Sequence, residues 1–279
     1  MTADNRLSRR DFLKLSTLGV AALFIPPRFR EFFSPENSNS ILTFSDEFDE
    51  TKIDETKWMD RYHNGKRTLG TELETYVPFS EGHHIVNNGV LHLVADKADN
   101  NSKLPFKSSM IASTNFAQTY GIFEASMKLP KGKGLWPAFW LLPYTKEGQI
   151  FPPEIDIVES LGDKPNYIHG ANHIACNFPD QGKFCNLYDN FDYISKIDLT
   201  DSFHTYKLIW FPNKLLWFFD SKCVYESKDE RVPNKPMFPI FNLAIGGWAG
   251  EPDQNTKFPT SLDIEYFRVY SLPNKIQDI

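Results

Sequence analysis

Three carboxylates crowd one short stretch of this chain, Glu154-Ile155-Asp156-Ile157-Val158-Glu159. The β-branched residues between them mark it as a strand. Side chains of a strand alternate between faces, so Glu154 and Asp156 share one side while Ile155 and Ile157 point into the apolar layer. Glu159 lies an odd number of positions from Glu154, which in a regular strand would drive an unpaired carboxylate into the core at high cost. One extra residue near Ile157-Val158, a β-bulge, returns it to the side of the other two. Carboxylates gathered in this way split their pKa values. Hydrolysis of a glycosidic bond uses that division: one anion attacks the anomeric carbon, and one acid gives its proton to the leaving oxygen. A separation of about 5–5.5 Å between them serves retention of configuration. Glu154 is therefore assigned as nucleophile, Glu159 as acid/base, and Asp156 as the group that hydrogen-bonds Glu154 and tunes its charge. An acidic strand facing solvent would show the same alternation.

The neighbouring sequence favours chemistry. Gly134-Leu135-Trp136-Pro137-Ala138-Phe139-Trp140-Leu141-Leu142-Pro143 reads as a second strand. Trp136, Ala138 and Trp140 share one face of it, Phe139 and Leu141 the other. If this strand lies beside the acidic one, the two indoles reach the same cleft, where they can stack on sugar rings; otherwise they fill the core.

The elements that must hold these residues are short strands. Gly89–Ala95 and Tyr120–Leu129 read as strands, and Leu262–Tyr270 closes the pattern. The runs 206–210 and 215–219 flank Pro212-Asn213 as a hairpin. Helical periodicity is not sustained beyond the N-terminus. Nineteen prolines and fifteen glycines punctuate the chain, as in an antiparallel sandwich or jelly roll. Its 279 residues and 15% aromatic content fit one large domain. A formal net charge of −6 argues against nucleic acid as a partner.

The N-terminus reads as an address. Ser8-Arg9-Arg10-Asp11-Phe12-Leu13-Lys14 precedes an apolar run from Leu15 to Ile25, the pattern of a twin-arginine export signal. The run is short for a membrane span, which needs about 20 residues. Residues 1–40 are thus assigned to signal and linker and 41–279 to the catalytic domain, giving a protein exported to the periplasm, cell surface or medium without a stable membrane span. Cys176 and Cys185 bracket a short loop and could pair there; Cys223 would be left over.

Taken together, these residues make the chain resemble glycoside hydrolase family 16, the laminarinases, lichenases, agarases and carrageenases. The likeness runs from Phe44 to Tyr270. It is carried by Phe44-Ser45-Asp46-Glu47-Phe48-Asp49, Glu72-Leu73-Glu74-Thr75-Tyr76, Tyr120-Gly121-Ile122-Phe123-Glu124-Ala125, the Trp-rich run and the acidic strand. Phe241-Asn242-Leu243-Ala244-Ile245-Gly246-Gly247 and Tyr266-Phe267-Arg268-Val269-Tyr270 complete it. The resemblance implies an all-β, concanavalin A-like jelly-roll β-sandwich with a concave substrate cleft, retaining hydrolysis, and the roles given above to Glu154, Asp156 and Glu159. The spacing of Asp156 and Glu159 looks like the bulged, laminarinase-like form. His173 looks like the histidine that reaches the cleft from the next strand. No cofactor is implied for catalysis. A structural calcium is, with Glu47, the backbone of Gly89 and Glu265 at the matching positions; the last is commonly aspartate. Two departures bear on the substrate: Phe151-Pro152-Pro153 stands where a tryptophan is common before the nucleophile, and Met110 where an arginine is common.

On this footing the expected activity is endo-acting hydrolysis of a β-1,3- or β-1,3/1,4-glucan by a monomer. Glu72, Tyr76, Trp136, Trp140, His173, Asn242 and Trp248 are the candidates for holding the sugar. The rivals are hydrolysis of another polysaccharide such as a galactan, transglycosylation, and a non-catalytic carbohydrate-binding jelly roll, since fold alone does not settle function.

Overall fold

A computed structural model describes residues 40–143, 152–178, 183–227, 229 and 231–272, with backbone alone over 175–178 and 183–186. The proposed export signal and Phe151 lie outside the described residues. The strands in chain order are β1 (Leu42–Asp46), β2 (Trp58–Met59), β3 (Glu74–Tyr76), β4 (His84–Asn87), β5 (Val90–Lys97) and β6 (Phe106–Ser108). Then come β7 (Met110–Ser113), β8 (Gly121–Lys128), β9 (Leu135–Pro143), β10 (Glu154–Glu159), β11 (Tyr167–Phe178) and β12 (Lys183–Ile194). The series ends with β13 (His204–Phe211), β14 (Lys214–Phe219), β15 (Lys222–Glu226), β16 (Met237–Ile245) and β17 (Thr260–Tyr270). The described residues contain no α-helix, only short 3-10 turns, and no helix long and apolar enough to cross a membrane.

Two sheets form. One runs β12-β11-β10-β9-β16-β7-β2 and carries the acidic strand; the other runs β15-β14-β13-β8-β17-β5-β6-β3, with β1 on β17 and β4 on β5. Each strand follows its sequence pattern. In β8, Phe123, Ala125 and Met127 are wholly buried. On the other face of β8, Glu124 accepts an ion pair from Lys207 of β13 at 2.6 Å. β13 and β14 form the expected hairpin across Pro212-Asn213. Gly89 is not part of a strand. With Asn88 it forms the tight turn between β4 and β5, both at positive φ (51° and 75°), the geometry that matches a twisted hairpin.

The core fills the space between the sheets. Phe139 of β9 stacks on Phe241 of β16 at 4.3 Å, and both meet Phe267 of β17 from the facing sheet. Offset and edge-on packing of this kind adds to the area buried, and loss of one such ring costs about 3–5 kcal/mol. β16 is buried along its whole length, which makes the cleft sheet stiff at its centre. At the far edge, β11 and β12 pair in unbroken register, with Cys176 opposite Cys185; the side chains of these two cysteines lie outside those described. Cys223, on β15, donates its thiol to the Tyr225 carbonyl at 3.5 Å.

Candidate active site

The bulge falls in β10 between Asp156 and Glu159. On one side Asp156 faces Trp140 and Val158 faces Phe139, so Ile157 is the additional residue; Glu159 then faces Ala138. On the other side Glu154, Asp156 and Glu159 face His173, Ala171 and His169 of β11. Ile155, Ile157 and Val158 are buried in the core. All three carboxylates therefore emerge on the outward face of the sheet, in a cavity also lined by Glu72, Trp136, Trp140 and Asn242. The bulge is braced from behind: the Trp217 indole N–H, from the opposite sheet, donates to the Asp156 carbonyl at 2.9 Å.

Each acid has its own surroundings. Trp136 Nε1 donates to Glu159 Oε1 at 2.8 Å. An indole N–H can only donate, so Oε1 is fixed as acceptor and the proton of a neutral Glu159 sits on Oε2. Burial pushes Glu159 well above the ordinary glutamate range and the Asp156 charge pushes it further, while the Trp136 bond opposes both. Glu154 is raised by burial first, then by Asp156 and Glu159. His173 Nε2 stands 3.0 Å from Asp156 Oδ2 and 3.6 Å from Glu154 Oε1. His173 thus stands beside both carboxylates. The arrangement supplies a proton donor and a nearby second carboxyl group for attack.

The other candidates divide. Trp140 Nε1 donates to Asn242 Oδ1 at 2.7 Å, and Asn242 Nδ2 donates to the Tyr76 hydroxyl at 3.0 Å. Tyr76 is fully buried, so it cannot touch a sugar as expected. It accepts from Asn242 and helps to favour the charged form of Glu72. β3 turns Tyr76 inward, whereas Glu72 precedes the strand and reaches the cavity. Trp248 is 45% exposed on a 3-10 turn (Gly247–Ala249) and packs edge-on against Trp136 and His169. It rims the cleft beside Glu159.

Sequence reasoning missed Glu74. It opens β3 and shares the buried face of Tyr76. It is fully buried, and its Oε2 accepts the Ile245 N–H at 2.7 Å. Its Oε1 meets no donor and turns to the Glu72 carboxyl. Burial, then the Glu72 charge, push Glu74 up to about 9. Glu74 thus keeps its proton at neutral pH, beside the Glu72 carboxyl on the cleft wall.

The expected calcium set does not fit. Both carboxylate oxygens of Glu47 are held by the Arg268 guanidinium at 2.7–2.8 Å, and Glu265 accepts the Ser126 hydroxyl. A cation at Glu47 would have to displace a cation already there. Among the described residues, the groups with metal-ligand spacing are Glu154, Asp156 and His173 of the cleft itself. Met110, at the position where an arginine is common, is buried against Tyr76 and Trp140 beneath the floor.

A chain similar in sequence is the endo-1,3-1,4-β-glycanase EglC of Rhizobium meliloti, 30% identical over 86% of this chain and 54% of its own length. Another is the β-glucanase of Rhodothermus marinus, 30% identical over 82% of this chain and 84% of its own. The chain spans about half the length of the first and 40% of a second Rhizobium meliloti glycanase, ExsH. Among solved structures, the laminarinase catalytic domain of Thermotoga maritima superposes with a TM-score of 0.70 at 31% identity, covering 83% of this chain and 98% of that one. The family model described as "Glycosyl hydrolases family 16" matches residues 72–268, a span that holds the bulged strand, both cleft tryptophans and the Glu72 wall, and the chain belongs to that family.

Proposed function

We propose that this chain is a retaining, endo-acting hydrolase of β-1,3- or β-1,3/1,4-glucan. The observation that carries the reading is the bulge at Ile157, which sets Glu154 and Glu159 on one face of a strand with Asp156 between them. Glu154 attacks the anomeric carbon as Glu159 gives its Oε2 proton to the glycosidic oxygen, leaving a glycosyl ester on Glu154. Glu159, now an anion, takes a proton from water, which opens the ester with a second inversion. Asp156 lies between the two glutamates, and its charge, after burial, sets how far both are raised. Trp136, Trp140, Trp248, Glu72 and Asn242 offer ring faces and hydroxyl partners to the sugars.

The relatives named as β-glucanase and laminarinase support glucan as substrate. Export by the twin-arginine route, supported by Arg9-Arg10 and the apolar run after them, would bring a monomeric enzyme to a polymer too large to enter the cell. The test is reducing-sugar release and product sizing on laminarin and lichenan, with E154Q beside the wild type. The wild type should release a ladder of oligosaccharides, and E154Q should lose turnover by several orders of magnitude while keeping its fold. An active E154Q would overturn the assignment. Release of single sugars alone would overturn the endo mode.

A further inference from the structure

Among the described residues, the cavity around Glu154 is lined beside β10 by β9, β16 and residues between Tyr62 and Glu72. On the other side the sheet continues for two long strands, β11 and β12, before it ends. Directly paired residues of an antiparallel ladder point to the same face. Glu154 pairs with His173, and His173 pairs with Tyr188. The same reasoning carries Asp156 to Ala171 and Asn190, and Glu159 to His169 and Asp192. Tyr188, Asn190 and Asp192 of β12 therefore continue the face that holds the three acids. The core faces the opposite way: Phe191, between two of them, is buried and stacks on Tyr225.

This outer row is built for contact rather than for packing. Tyr188 is 61% exposed, with its ring 5.8 Å from the His173 ring and tilted by 36°. Asp192 is anchored, accepting from the Tyr167 hydroxyl at 2.7 Å and bonded to His169 Nδ1 at 2.8 Å. Two strand spacings separate Tyr188 from Glu154, roughly 10 Å, which is beyond the sugar at the cut bond. An exposed ring at that distance, next to an amide and a fixed carboxylate, has the make-up of a sugar site: a face for stacking and polar groups for hydroxyls.

We propose that β12 forms a second half of the substrate path, in which Tyr188 stacks on a glucosyl ring lying over β11 and β12 while Asn190 and Asp192 take its hydroxyls. The inference rests on the glucanase reading. It adds that the polymer runs on from the cavity over the outward row of β12.

The test compares wild type, Y188A, Y188F and Y188W on laminarin and on laminari-oligosaccharides of three to seven sugars. Y188A should raise KM for laminarin and the longest oligosaccharides by about tenfold, the worth of one stacking contact, with kcat within twofold. The effect should vanish on oligosaccharides too short to reach β12, and Y188F and Y188W should restore KM. Tyr188 is exposed, so all variants should keep the wild-type melting temperature. A Y188A chain with wild-type KM on every length, or with the same loss on every length, overturns the inference and leaves the proposed function standing. A wild-type chain that cleaves no glucan overturns both.

Discussion

Glu74→Gln is the substitution whose effect follows most directly from the structure. In the folded chain Glu74 keeps its proton up to about 9, because it is buried beside Glu72; in the unfolded chain it returns to about 4.5. Between those values the unfolded state has released a proton that the folded state still holds. Stability therefore falls as pH rises through this window, at a limiting slope of about 1.4 kcal/mol per pH unit for one proton. From pH 6 to pH 8 the loss is about 2.7 kcal/mol at that limit, or roughly 5–10 °C in melting temperature for a domain of this size. The amide side chain introduced by E74Q keeps an oxygen for the Ile245 N–H and offers its own N–H to Glu72 without a proton to lose. The assay is urea denaturation of both proteins at pH 6 and pH 8. The wild type should lose more stability than E74Q over this interval, by up to the figure above. Parallel pH dependence in the two would refute the claim that Glu74 is held neutral.

Three further expectations concern the acids and the packing behind them. Glu159 must hold its proton and Glu154 must have lost its own, and both are raised by burial, so kcat/KM should trace a bell whose two limbs lie above the ordinary glutamate value. W136F removes the N–H that favours the Glu159 carboxylate and should move the alkaline limb upward by about one pH unit; a limb that stays or moves down would contradict the geometry. In the core face of β11, a Cβ on Gly170 would lie 2.5 Å from the Phe191 ring. G170A should therefore cost about 1–3 kcal/mol, read as a lower melting temperature, whereas an unchanged one would show that Phe191 is free to step aside.

The acidic strand was legible because parity is arithmetic: an odd interval between two acids that must share a face demands one extra residue, and Ile157 is that residue. The hairpin at Pro212-Asn213 and the apolar faces of β8 and β9 follow from the same two-residue period. Tyr76 was misplaced because its resemblance to a cleft motif says nothing of the inward turn of a three-residue strand. Glu74 was readable in principle, two residues from Glu72, but its neutrality comes from tertiary burial that no local pattern reports. The β12 row depends on register across a long hairpin. That register places His173 opposite Tyr188 and Cys176 opposite Cys185.

The bond from Trp217 to the Asp156 carbonyl ties the cutting edge of the molecule to its back plate. Sheets in a sandwich ordinarily can drift by small amounts as their contact residues change over generations. Here a slip of the rear layer would drag the kinked segment with it and spoil the aim of the nucleophile. On the proposed function, a residue of the opposite sheet that the substrate does not touch thus shares in aiming the acids.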